Sequence, residues 1–220
     1  MAGMLGGMLA LLVHVYILGL LHPQRALVDG APARLGQRYG GERFVVEVPG
    51  LPPRAYAGAL LVEDGGSELR LVNEVELEDY VAGVVGAEMA DGPPAAREAL
   101  AVVARTFALA TPRLDDTTRS QWYRGLEKAD IESARRTRGQ VLTRQGKIVP
   151  VFYSQDCGGA TREEWTATER TSDPHLPGLP RGRGHGVGLC QRGAAFLASK
   201  GASAHQILAR YFPSLSIGRR

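Results

Sequence analysis

The chain has 220 residues, 44% of them hydrophobic and 22% charged, which suits one globular domain with a sizeable core. Its formal net charge is only +3 at pH 7. Because no segment interleaves basic residues with stacking aromatics, this balance argues against a nucleic-acid partner. A mildly basic surface instead suits an anionic wall or membrane.

The N-terminal segment, residues 1–21, contains no Asp, Glu, Lys or Arg. Its length matches the about 20 residues that a helix needs to cross a bilayer. We therefore predict an N-terminal hydrophobic helix, with residues 1–22 as a signal peptide or membrane anchor; a buried helix of a soluble domain is the alternative. The first basic residue, Arg25, follows the apolar run, which by the positive-inside rule opposes export. Pro- and Gly-rich residues 23–41 are predicted to be a linker, and residues 42–220 the globular domain.

Periodicity and turn residues predict the elements of this domain. The predicted strands cover residues 43–48, 59–62, 69–73, 141–142 and 148–153. The predicted helices run from residue 77 to the turn at 91–94, and over residues 95–110, 127–138, 186–200 and 204–211. Strands and helices follow each other in runs, so the fold class is α+β, a single mixed domain after the N-terminal hydrophobic helix.

Glu88 is the most informative acidic residue of the chain. It ends an apolar helix face formed by Leu77, Tyr80, Val81, Val84 and Val85. A carboxyl in an apolar setting holds its proton towards neutral pH and can act as a general acid. From spacing alone, a solvated glutamate at a helix end is the favoured interpretation.

Five ordered blocks extend the pattern around Glu88. They cover residues 77–89, 98–107, 120–125, 152–161 and 184–194. The first reads Leu-x-x-Tyr-x-x-Gly-Val-Val-x-x-Glu-Met and the last contains Gly-His-Gly-Val-Gly. Together the blocks resemble the signature of the stage II sporulation protein D (SpoIID) and amidase-enhancer (LytB) family, from about residue 68 to the C-terminus.

The resemblance implies a lytic transglycosylase that cleaves stem-free peptidoglycan glycan strands, with Glu88 as its acid–base residue. In that chemistry one carboxyl suffices, because the sugar's own 6-hydroxyl, and not an activated water, closes a 1,6-anhydro ring. The alternative is a non-catalytic glycan-binding module or an enhancer of a cell-wall amidase. A hydrolase that uses Ser154 or Cys157 with His185 is a third possibility on residue types, although no nucleophile–base spacing supports it.

The other blocks supply candidate substrate-binding residues: Arg105, Tyr153, Ser154, Gln155, Gly158, Gly159, His185 and Gln191. For Arg105, a structural ion pair is an equal alternative. The segment between residues 162 and 183 is shorter than is common in the family, which puts part of the groove in question. In it, Trp165 is a candidate for stacking on a sugar or for packing against the core.

The two cysteines, Cys157 and Cys190, are predicted to be free thiols or one disulfide. A second interpretation is zinc held by Cys157, His175, His185 and Cys190, which is chemically acceptable but matches no compact spacing motif. No other cofactor is expected. The expected partners are glycan strands, a wall amidase and, through an uncleaved N-terminal segment, the membrane, and the expected location is extracytoplasmic.

Overall fold

The computed structural model describes residues 10–21, 23–163, 170–173 and 184–220. The strands are β1 Leu12–Ile17, β2 Leu27–Val28, β3 Ala31–Pro32, β4 Arg38–Glu47, β5 Arg54–Asp64, β6 Leu69–Glu76, β7 Leu114–Asp115, β8 Gln140–Arg144, β9 Lys147–Ile148, β10 Tyr153–Ser154, β11 Leu189–Cys190 and β12 Ser216–Arg219. The helices are α1 Leu77–Met89, α2 Pro94–Ala110, α3 Ile131–Arg136, α4 Gln191–Ser199 and α5 Ala204–Tyr211. A 3-10 turn covers Gly19–Leu21. The predicted α+β class is confirmed for the mixed domain.

Three sheets organise the strands. The largest has seven strands in the order β3-β2-β4-β5-β6-β1-β7. In it, β1 pairs antiparallel with β6 and parallel with β7. A three-stranded sheet has the order β12-β8-β9, and β10 and β11 form a short parallel pair.

The helices form the centre of the core. α2 packs against α1, α3, α4 and α5 and against strand β8. It begins at Pro94, whose missing N–H costs nothing in the first turn of a helix. Its residues 99–106 are all buried. Because α2 contacts every other helix, it fixes where the end of α1, which carries Glu88, lies relative to α4.

The predicted N-terminal hydrophobic helix is wrong for the part of it that the structure describes. Leu12–Ile17 is a strand inside the seven-stranded sheet, with Val13, Val15 and Ile17 buried. These alternate β-branched residues have the two-residue period of a half-buried strand, and this local signal outweighs the absence of charge. In the described part of the chain, no helix has both the length and the apolar character to cross a membrane.

The position of β1 gives a stability prediction. Ile17 is 1% exposed and Leu12 is 49% exposed in the same strand. Replacing Ile17 by Ala removes buried methyl groups and should lower the free energy of unfolding by about 2–5 kcal/mol. The same truncation at Leu12 should change it by about 0.5 kcal/mol or less. Urea unfolding of the full chain measures both, and equal small effects would contradict the sheet placement of β1.

Residues 23–41, predicted as a linker, also contribute to the sheet. They contain β2 and β3, and β4 begins within them at Arg38. β4 pairs with β5 on both sides of an irregularity between Gly41 and Phe44. The glycines that suggested a linker therefore stand at turns and at a bulge within a continuous sheet.

Other boundaries shift for local reasons. The helix predicted over residues 186–200 begins only at Gln191, and α3 is limited to Ile131–Arg136. Gly188 has φ +75°, and an added Cβ there would collide with the carbonyl oxygen of Phe152. The backbone before α4 therefore packs closely against the backbone of Phe152 and does not form a helical turn.

Candidate active site

A groove of about 660 Å³ opens at the C-terminal end of α1. Its described lining combines aromatic, hydroxyl, amide and charged side chains. The lining residues are Glu88, Phe107, Thr118, Arg119, Ser120, Trp122, Phe152, Tyr153, Ser154, Gln155, Gly184, His185 and Gln191. They come from α1, α2, the loop after β7, β10 and the chain around β11 and α4. The groove therefore unites blocks that are more than 100 residues apart.

Glu88 is held by three hydrogen-bond donors. Its Oε1 accepts from the backbone N–H of Trp122 at 3.1 Å and from the Tyr153 hydroxyl at 3.0 Å. Its Oε2 accepts from Gln191 Nε2 at 3.1 Å. The immediate surroundings of the carboxyl are therefore polar, which corrects the predicted apolar setting. The apolar face of α1 is buried as predicted, but it points into the core and not at the carboxylate.

Close packing of α1 on the chain that follows β7 brings Trp122 to Glu88. An added Cβ at Gly83 would lie 2.5 Å from the carbonyl oxygen of Gly125, and one at Gly86 would collide with that of Lys128. Only glycine lets the helix and this loop approach so closely. The two glycines of the first motif block are therefore required for the geometry of the site.

The Tyr153 hydroxyl lies near Tyr80 and Glu88 in the inner part of the groove. Tyr80 donates to Gln121 Oε1 at 3.0 Å. Burial raises the pKa of Tyr153 well above its usual range, and the neighbouring Glu88 and Tyr80 raise it further. The Tyr153 hydroxyl therefore keeps its proton at any physiological pH and remains a donor to Glu88.

Three further predicted residues line the groove with Glu88 and Tyr153. Ser154 is 5% exposed, and its Oγ has no hydrogen-bond partner among the described residues. His185 Nδ1 accepts from the Val187 N–H at 3.1 Å, so the neutral ring carries its proton on Nε2. Gln155 completes the set. A buried unpaired hydroxyl beside an open groove is suited to binding a polar ligand group.

The structure does not place Arg105 in the groove. Its side chain is 0% exposed and pairs with Glu78, with Nη2–Oε2 at 2.6 Å and Nε–Oε1 at 3.1 Å. It also donates to backbone carbonyl oxygens of Ala101, Ala134 and Gln140. Arg105 points towards α3 and β8, where it forms the ion pair with Glu78 that the sequence analysis gave as the alternative to substrate binding.

Gly158 and Gly159 are not among the described residues that line the groove. They form a turn with positive φ, in which the Gly158 N–H donates to Asp156 Oδ1 at 2.8 Å. The turn brings Asp173 to Cys157, since the Asp173 N–H donates to the Gly159 carbonyl oxygen. Glycine at these two positions allows the positive φ of the turn that places Asp173 against Cys157.

Cys157 and Cys190 are both buried free thiols, so the structure shows no disulfide between them. Burial raises the pKa of both thiols, and Cys157 donates to Asp173 Oδ2 at 3.4 Å. A buried thiol that stays protonated is a poor nucleophile, which disfavours the cysteine hydrolase alternative.

Among the described zinc candidates, Cys157 and Cys190 lie together but His185 is not in their cluster. His185 lies in the groove, and His175 and Trp165 lie outside the described residues. The donor atoms of Asp156, Cys157 and Cys190 lie within 4.8 Å of one another. However, the Asp156 carboxylate already accepts from Arg192 at 2.8 Å. The described residues thus supply three donors, one of them engaged, whereas a structural zinc site has four ligands.

Sequence reasoning missed Trp122 and Arg119. Both line the groove, and Trp122 remains 39% exposed, which is unusual for a large aromatic side chain. Trp122 lies within the block at residues 120–125, at a position that the family pattern leaves open between Gln121 and Tyr123. Its place beside Glu88 depends on the backbone N–H contact, which no side-chain pattern reveals.

The fold and the groove define an α+β domain in which one carboxylate, Glu88, stands among the described residues of a polar, partly aromatic groove. Residues 65–144 of the chain match the family model described as Stage II sporulation protein (SpoIID). This match confirms the resemblance. The matched region contains Glu88 and Trp122, whereas Tyr153, His185 and Gln191 follow it. The family indicates a function related to the cell wall or to sporulation.

The chain is also similar to an uncharacterized protein of Brachyspira hyodysenteriae. The two are 38% identical over 119 residues, which is 48% of this chain and 32% of that relative. The match thus spans about a third of the relative's length.

Proposed function

We propose that this protein is a peptidoglycan lytic transglycosylase that cleaves stem-free glycan strands, with Glu88 as the acid–base residue. The observation that carries the proposal is the setting of Glu88, held by three donors in an open groove. Among the described lining residues, Glu88 is the only carboxylate. A hydrolase of the two-carboxylate type needs a second acid across the bond, whereas a transglycosylase does not.

The hydrogen bonds leave a free acceptor position on only one oxygen of Glu88. Each carboxylate oxygen has two acceptor positions. Those of Oε1 are taken by Trp122 N–H and Tyr153 hydroxyl, while Oε2 accepts only from Gln191. Oε2 therefore has the free position, and the proton on Oε2 passes to the glycosidic oxygen as the C1–O bond breaks.

The second half of the reaction returns the proton. The Glu88 carboxylate takes the proton from the 6-hydroxyl of the same sugar, and that oxygen bonds to C1 to close the 1,6-anhydro ring. The donors from Trp122, Tyr153 and Gln191 stabilise the carboxylate in the interval between the two transfers. Atoms and charge balance without water, and Glu88 ends in its starting state.

The remaining lining suits a carbohydrate. The exposed Trp122 ring offers an apolar platform for a sugar face. Ser154, Gln155 and His185 offer hydroxyl, amide and imidazole groups to sugar hydroxyls. We propose an extracytoplasmic site of action, where glycan strands are found, and an amidase as the upstream partner that strips stem peptides.

Mass spectrometry of the products tests this proposal. The full chain is incubated with purified stem-free glycan strands, and fragments ending in 1,6-anhydro sugars are the expected result. Reducing-end fragments would instead identify a hydrolase. Intact strands that still bind the folded protein would favour the glycan-binding or amidase-enhancing alternative.

Tyr153→Phe tests whether the hydrogen bond from the Tyr153 hydroxyl to Glu88 contributes to cleavage. The change removes one of two donors to Oε1, a hydrogen bond to a charged group, so cleavage should slow by about 10- to 100-fold. Initial rates of fragment release measure the effect. Tyr123→Phe is the matched control, because that buried hydroxyl donates to Asn73 at 2.8 Å and not to Glu88. Equal rates for both variants would exclude a role of the Tyr153 hydroxyl.

A further inference from the structure

Arg119 places a positive charge among the described residues that line the groove. Among the described lining residues it is the only Arg or Lys, and Glu88 is the only acid. The Arg119 side chain is exposed. Within the described ranges no acidic side chain forms an ion pair with it. An exposed guanidinium beside the reaction centre is therefore available to a ligand.

The loop that carries Arg119 is held at several points. Thr117 N–H donates to Asp115 Oδ1 at 2.9 Å, and Arg119 N–H donates to Thr117 Oγ1 at 3.1 Å. Three residues later, Trp122 N–H binds Glu88 directly. Three residues reach at most about 10 Å, so the base of the Arg119 side chain is tied close to Glu88.

A guanidinium recognises a carboxylate through paired N–H···O contacts, and discriminates it from a neutral amide by charge. One sugar of the wall glycan carries a lactyl ether. With a stem peptide attached, the lactyl carbonyl is a neutral amide; once the peptide is removed, it is a free carboxylate. Strands with and without stem peptides thus differ in whether the lactyl group ends in a neutral amide or a carboxylate, and a guanidinium such as that of Arg119 distinguishes these two groups.

We propose that Arg119 binds the free lactyl carboxylate and thereby selects stem-free strands. The inference rests on the proposed function and names the residue that sets its substrate preference.

Binding measurements separate this inference from catalysis. In a Glu88→Gln background, affinity is measured for stem-free strands and for the same strands with their carboxylates converted to methylamides. The native strands should bind at least about 10-fold more tightly than the methylamide strands. This ratio of affinities is expected for a charge-assisted contact. Arg119→Gln should bring the ratio close to one, and Arg119→Lys should restore part of it. Arg43→Gln, at an exposed arginine of β4 outside the groove, is the control that keeps the ratio.

Equal binding of native and amidated strands would overturn the role of Arg119, as would a ratio that Arg119→Gln leaves unchanged. Absence of 1,6-anhydro products from the wild type, with the carboxylate-dependent ratio intact, would refute the proposed reaction but support the recognition. Failure to bind either strand would overturn both.

Discussion

Glu88→Gln should slow glycan cleavage by about 10²- to 10⁴-fold, the range by which general acid–base catalysis contributes. The amide has nearly the shape of the carboxyl, and its oxygen can still accept from Trp122 N–H and the Tyr153 hydroxyl. It can neither give a proton to the glycosidic oxygen nor take one from the 6-hydroxyl. Initial rates of soluble fragment release measure the loss, and cosedimentation with strands should show that binding survives.

The matched control for this change is Glu63→Gln. Glu63 is a half-buried carboxylate on β5 that lies 3.7 Å from Arg70, away from the groove. It should retain the wild-type rate. A Glu88→Gln variant that cleaves at the wild-type rate would remove Glu88 from the chemistry.

Glu78→Gln should lower the free energy of unfolding by about 3–5 kcal/mol, the usual cost of leaving a buried charge without its partner. Arg105 is fully buried, and Glu78 is its only anionic partner among the described residues. The carbonyl oxygens around the guanidinium cannot replace the charge. Urea unfolding at neutral pH measures the difference.

Glu132→Gln provides the comparison for Glu78. Glu132 pairs with Arg135 and Arg136 at the surface, where water screens the charges, so its replacement should change stability little. If both variants unfold at the same denaturant concentration, the Arg105–Glu78 pair does not stabilise the fold. The folded Glu78→Gln protein should still bind glycan, because neither residue lines the groove.

The sequence predicts best the elements whose periodicity reflects their burial. Strands β4, β5 and β6 and helices α1, α2 and α5 appear where alternation or helical spacing places them. Gln145 and Gly146 lie between two predicted strands, and both adopt the positive φ that a two-residue hairpin turn requires. These elements can be predicted because the spacing of their apolar residues matches the face that each element buries in the fold.

The rest depends on tertiary context. β7, β10 and β11 are only two residues long, and their pairing partners are distant in the chain. β1 shows the alternation of buried and exposed residues that is typical of a strand. However, it lies in a segment without charged residues, which is also typical of a membrane helix. Arg105 illustrates the limit for sites, because its motif position does not reveal that it faces α3 and β8 and not the groove.

The groove itself was partly predictable. Residues of the blocks around Glu88, Tyr153 and His185 do assemble, because each block has the small or polar residues that the close approach needs. The direction in which each side chain points could not be predicted. Trp122 and Arg119 enter the site through a loop in which their backbone N–H groups donate to the side chains of Glu88 and Thr117. These bonds do not depend on the side chains at positions 119 and 122, so the residue types there do not reveal them.

Cleavage of stem-free strands in ¹⁸O-labelled water tests most directly whether the sugar's own hydroxyl is the nucleophile. If Glu88 acts alone as acid and base, the new ends are 1,6-anhydro sugars that contain no ¹⁸O. If the new reducing ends each carry one ¹⁸O atom, water is the nucleophile and the transglycosylase account is wrong.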